Sequence, residues 1–108
     1  MTRDELKTII RNTAEKYGFT AITYQWTRWL EIEHPAGHYL NFKILEEIDP
    51  NADWKKREIN IHLHFRASLA FMGELSVEEL IQAADVIRAG ALLMEEMESL
   101  RLVYTETA

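Results

Sequence analysis

Ile59-Asn60-Ile61-His62-Leu63-His64-Phe65-Arg66 decides the fold class of this chain. Apolar and polar residues alternate without a break. In an extended strand successive side chains point to opposite faces, so this period of two predicts a strand with one buried and one open face. We place it over about Arg57 to Ala67. Upstream, Leu40, Phe42, Ile44 and Ile48 alternate with Tyr39, Asn41, Lys43 and Leu45, which predicts a second strand from His38 to about Ile48. Asp49-Pro50-Asn51-Ala52-Asp53 between them has the composition of a loop. His34-Pro35-Ala36-Gly37 reads as the preceding turn. Before it, Ile22, Tyr24, Trp26, Leu30 and Ile32 share one side of a first strand. Thr23, Gln25, Thr27, Trp29, Glu31 and Glu33 share its other side, and Arg28 breaks the apolar phase.

Helices flank these strands. Thr2 and Glu5 fit a capping box, and Leu6, Ile9, Ile10, Ala14 and Tyr17 follow at helical spacing up to Gly18. A helix is expected over residues 3–17. Ser76-Val77-Glu78-Glu79 is a second capping box and opens a long helix. Its apolar positions include Val77, Leu80, Ile81, Ala84, Ile87, Ala91, Met94 and Leu100. Val86, Leu92, Leu93 and Met97 widen the stripe beyond the need of one sheet face. Running from Val77 to about Leu102, the helix would measure ~39 Å, longer than the ~30 Å of a small domain. Its end, about residues 92–102, is therefore expected to overhang. Leu93, Met97 and Leu100 would then need a second copy as cover, which predicts a homodimer.

The order is α-β-β-β-α. The expected fold is α+β: a three-stranded antiparallel sheet with both helices packed on one face, in a single domain over residues 1–108. This order is similar to that of the double-stranded RNA-binding domain. Pro35, His38 and Phe42 loosely resemble that family's Gly-Pro-x-His-x-x-x-Phe stretch. The Pro-to-His spacing is one residue longer here, and the preceding Gly is missing. Glu74, Glu78 and Glu79 replace the family's basic start to the last helix. The likeness is of topology alone and carries no function across.

Composition narrows the functional classes. The 108 residues are 47% apolar and 28% charged, ordinary globular values. Cysteine is absent, which removes disulfides, thiol nucleophiles and thiolate metal sites. The polar N-terminus, Met1-Thr2-Arg3-Asp4-Glu5, predicts no signal peptide, and no apolar run approaches the ~20 residues of a membrane helix. A cytoplasmic location is expected. The formal net charge is −6. Residues 1–73 hold ten acids and ten bases, whereas residues 74–108 hold eight acids and two bases. The acidic third reads first as a solvated helix face. The sharper reading is a surface that docks on a basic partner or imitates nucleic acid.

The uncovered sheet face is where sites are sought. Trp29, Tyr39, Lys43, His62, His64 and Arg66 are assigned to it as a partner or ligand face. Trp29 with the cationic groups suits stacking of single-stranded nucleic acid, in which bases lie on aromatic rings and cations follow the backbone. The favoured rival is that a partner subunit covers Trp29 and Tyr39. His62 and His64 point the same way and are weak metal candidates, with His34, His38, Glu31 or Glu33 as a possible third ligand. Two partly exposed histidines on a polar strand face is the favoured reading, so no cofactor is expected. Asp49 to Asp53 begins like a calcium loop, but Trp54 and Asn60 stand where the pattern needs Gly and Glu. Lys55-Lys56-Arg57 reads as a solubility feature. No nucleophile elbow or glycine-rich phosphate loop is present. The expectation is a small interaction module without evident catalysis. A nucleic-acid accessory protein and a metal-dependent enzyme are the alternatives.

Overall fold

The computed structural model describes residues 1–24, 28–35, 37–51, 55, 57–70 and 73–107, with the side chains of 37–39 and 107 outside that set. Helix α1 spans Arg3–Lys16, strand β1 Thr20–Ile22, β2 Glu31–His34, β3 Gly37–Ile48 and β4 Glu58–Leu69; helix α2 spans Val77–Leu100 and strand β5 Val103–Thr107. The class is α+β, but the sheet has five strands, not three. They pair in the order β1-β2-β3-β4-β5, each antiparallel to the next, and curl into a half-barrel. The three-stranded outline shared with the double-stranded RNA-binding domain is therefore not this fold.

Two departures account for the extra strands. The stretch expected as one strand from Phe19 folds back on itself: Thr20 pairs with Glu33, Ala21 with Ile32 and Ile22 with Glu31. Trp29 and Leu30 show why. They are consecutive, and both are buried, which a strand with one open face cannot achieve. The chain leaves the extended conformation around Arg28 to insert both. Gln25, Trp26 and Thr27 lie outside the described residues. The second departure is β5. Arg101 takes the left-handed conformation (φ 48°, ψ 59°) and ends α2. The chain then reverses, Leu102 and Tyr104 enter the core, and β5 pairs with β4 from His62↔Val103 to Glu58↔Thr107.

The β3-β4 hairpin occupies the two segments that the alternation marks, in register from Leu40↔Leu69 to Ile48↔Ile61. Its inner face carries Phe42, Ile61, Leu63 and Phe65. Leu6, Ile10 and Ala14 of α1 and Val86, Leu93 and Met97 of α2 join these residues in one core. Thr2 accepts the Glu5 N–H at 3.2 Å, and Gly18, at φ +83°, turns the chain from α1 into β1. Among the described residues no helix is long and apolar enough to cross a membrane.

The apolar exposure of α2 is greater at its start than at the end expected to overhang. Leu93 and Met97 are each 1% exposed and belong to the chain's own core, so they are not an oligomer interface; only Leu100 of the three is exposed, at 44%. The C-terminal half of α2 is held over the sheet because the chain must enter β5 one turn later, where the Leu63 N–H donates to the Leu102 carbonyl at 2.9 Å. Apolar exposure is greatest at the start of the helix. There Val77, Leu80 and Ile81 are 76%, 60% and 58% exposed.

Candidate interaction surfaces

The outer face of the sheet gathers four of the six residues assigned to it. Lys43 stands opposite Arg66, Leu45 opposite His64 and Glu47 opposite His62. Period-two spacing on two paired strands places them together. His64 Nε2 lies 2.6 Å from Glu47 Oε2, an ion pair when the imidazole is protonated. The Tyr39 side chain lies outside the described set. Of the third-ligand candidates, Glu33 accepts from the Tyr24 hydroxyl at 3.4 Å, and the His34 ring meets Phe19 edge-on at 5.2 Å. Glu31 pairs with Ile22 two strands from β4, and the His38 side chain is outside the described set. Among the described residues no three His, Cys, Asp or Glu side chains are grouped to hold a metal ion. In the β3-β4 connection Asp49 Oδ1 accepts the Asn51 N–H at 2.9 Å, a turn closed by its own side chain.

Trp29 is not on this face. It is buried on the inner side, its ring 5.4 Å from that of Tyr104 at 62°. Its indole Nε1–H donates to Glu46 Oε1 at 2.5 Å. Glu46 also accepts the Tyr104 hydroxyl at 3.1 Å and pairs with Arg28 Nε at 3.0 Å. Arg28 Nη2 in turn donates to Tyr104 at 2.9 Å and to Glu106 at 3.0 Å. Arg3, from the start of α1, lies 3.7 Å from Glu106 and sets its guanidinium 5.7 Å from the Tyr104 ring centre. Two arginines thus face two glutamates around two aromatic rings.

The electrostatics of this cluster follow from that geometry. Burial pushes the Tyr104 hydroxyl above its ordinary range, and its hydrogen bond to Glu46 adds to the shift. Burial works against the Arg28 charge, but Glu46, Tyr104 and Glu106 together more than offset it and raise its pKa. Each charge has its counter-charge, so the cluster offers no free acid or base. It is a brace tying α1, the segment before β2, β3 and β5. Sequence reading missed it because its members are far apart in the chain. The one local signal was Arg28, which breaks the apolar phase.

The third surface is the outward side of α2. Buried positions Ala83, Val86, Gly90, Leu93 and Met97 form one stripe along the helix. Roughly 110° round the helix, at 3.6 residues per turn, Val77, Leu80, Ala84, Ile87 and Ala91 form a second, exposed one. Their 3-4-3-4 spacing is that of a coiled-coil seam. The helix start is well formed. Ser76 Oγ accepts the Glu79 N–H, and the Glu79 carboxylate accepts the Ser76 N–H, each at 3.2 Å. Those hydrogen bonds hold the Glu79 carboxyl below its usual range. Comparison with known proteins adds nothing to these surfaces: no family model, curated protein or solved structure matches the chain.

Proposed function

We propose that this chain is a small cytoplasmic protein–protein interaction module that self-associates through the outward face of α2. The exposure of Val77, Leu80, Ile81 and Ile87 on a capped helix carries this reading. Contiguous apolar patches rimmed by polar residues mark interaction sites far more often than scattered apolar residues do. Weighted by exposure, these four residues offer about two whole side chains per copy, each worth roughly 1.5–3 kcal/mol when buried. A pair of copies gains roughly 6–12 kcal/mol before association costs of about 4–15 kcal/mol. The expected dimer is therefore weak and reversible.

Light scattering after size exclusion tests it over a hundredfold concentration range. The mass should rise from 12.7 kDa towards twice that value. Leu80→Glu should hold it at the monomer without loss of helix content. A wild type that stays monomeric at every concentration removes the proposal.

A nucleic-acid accessory role has less support. Lys43 and Arg66 lie side by side, but the aromatic ring meant for stacking, Trp29, is in the core. Salt-dependent gel retardation of single strands would support it, and Lys43→Glu should abolish that retardation. The metal-dependent reading retains only the His62 and His64 pair, and elemental analysis of untagged protein tests it.

A further inference from the structure

We infer that two copies pair through α2 in an antiparallel arrangement centred between Asp85 and Val86. This deepens the self-association reading and rests on it. In the heptad that starts at Val77, the first positions are Val77, Ala84 and Ala91, and the fourth positions are Leu80, Ile87 and Met94. Apart from valine at the helix start, the first positions are small; all the fourth positions are large. Such a seam is not complementary to itself in parallel. Leu80 would meet the partner's Leu80 and Ala84 the partner's Ala84, alternating crowded layers with gaps, both of which are destabilising.

Antiparallel pairing matches the sizes. Leu80 packs on the partner's Ala91, Ile87 on the partner's Ala84, and Val77 on the partner's Met94. A two-fold axis makes every contact reciprocal. The central layers use residues that are exposed in the single chain. The end layers are looser, because Met94 is already partly packed against its own core. On one flank of the seam Ala83 and Gly90 are buried against the chain's own sheet and carry no charge. On the other stand Ile81, Arg88 and Glu95, with Ile81 58% exposed.

The size of the contact agrees. An overlap from Val77 to Met94 is ~27 Å long, and half the girdle of a ~10 Å helix over that length is on the order of 400 Å² per copy. The total approaches the roughly 1,000 Å² of a specific interface from below, as a reversible dimer requires.

Cross-linking tests the register, and the absence of native cysteine leaves no background. Leu80 and Ala91 are exposed, so cysteines there leave the core intact. In the antiparallel register Leu80 and the partner's Leu80 lie ~16 Å apart along the axis, beyond disulfide reach. The double variant Leu80→Cys, Ala91→Cys should therefore oxidise to a covalent dimer, and each single variant should stay monomeric on a non-reducing gel. Cross-linking of the single Leu80→Cys variant would establish a parallel pair and overturn the register. No cross-link in a double variant that light scattering finds dimeric would place the interface elsewhere and overturn it too. A wild type that never dimerises removes the self-association reading itself, a result distinct from either.

Discussion

Gly90 sits where α2 crosses the sheet most closely, and replacing it tests how the helix is seated. A Cβ built there would overlap Leu40 Cδ2, lie 3.2 Å from Phe42 Cζ and 3.5 Å from Leu40 Cγ. Two effects oppose each other in Gly90→Ala. Alanine is favoured over glycine within a helix by about 1 kcal/mol. Forcing extra volume into a packed core costs about 1–3 kcal/mol. Leu40 Cδ2 is the tip of a flexible side chain, but Leu40 is itself buried between α2 and the sheet. The clash should win, leaving Gly90→Ala destabilised by about 1 kcal/mol. Leu40→Ala alone should cost about 2–5 kcal/mol. With Leu40 shortened the overlap disappears, and adding Gly90→Ala should recover part of that loss. The coupling between the two sites is expected at about 2 kcal/mol. Urea unfolding followed by far-ultraviolet ellipticity, at one fixed protein concentration, measures all four corners. If Gly90→Ala stabilises by the full helix-propensity gain and the two changes simply add, α2 does not rest on Leu40. The rotation that turns Leu80 and Ala84 outward would then lose its anchor.

Three further outcomes follow from the same geometry. Glu46→Ala removes the shared acceptor of Trp29, Tyr104 and Arg28 and should destabilise by about 1–3 kcal/mol, with a shift in tryptophan emission; an unchanged urea midpoint contradicts the brace. Tyr104 is held above the ordinary tyrosine value of ~10, so the stability it contributes is whole below that pH and is lost as pH rises through the folded value. The absorbance difference between wild type and Tyr104→Phe should therefore titrate above pH ~10, and a midpoint at or below it refutes the shift. Ser76→Ala should cost about 1 kcal/mol and fray the first turn of α2 in hydrogen exchange. Since the Glu79 pKa is lowered, its share of the cap is present above the unfolded value of ~4.3 and is lost as pH falls through the folded one.

What the sequence made legible was what repeats locally. Ile59 to Arg66 alternates in the sequence and in the sheet, so Lys43, His62, His64 and Arg66 share a face as expected. Capping residues marked Thr2 and Ser76 because a cap is made within four residues. The failures are of another kind. Period two continued from Phe19 to Glu33 through a fold-back, since alternation records which faces are wet but not where a strand reverses. The helix was expected to end at about Leu102 and β5 after it was not anticipated, because Arg101 adopts a left-handed turn without the glycine that usually signals one. Trp29 was assigned to the open face on phase alone, although its partners Glu46 and Tyr104 are reachable only through the tertiary fold.

The excess of apolar residues on α2 was visible in the sequence, but its cover was sought at the wrong end. On the self-association proposed above, a helix apolar on two sides takes two partners. Here the sheet supplies one, reached through Gly90, Leu93 and Met97. The strand after the helix decides where the other side is bare. β5 must lie beside β4, which pins Leu102 to Leu63 and holds the last turns of α2 over the core. Apolar exposure is greatest in the N-terminal half, which also carries Glu78, Glu79 and Asp85, while Leu92 and Leu100 are 49% and 44% exposed. The acidic bias and the apolar stripe are then two parts of one surface. Repulsion between acidic rims opposes contact, and Arg88, the one base within α2, flanks the seam and offsets part of that repulsion. On this argument Arg88→Glu should weaken dimerisation more than Arg101→Glu, although both change the net charge equally. Equal weakening would mean that overall charge alone governs association.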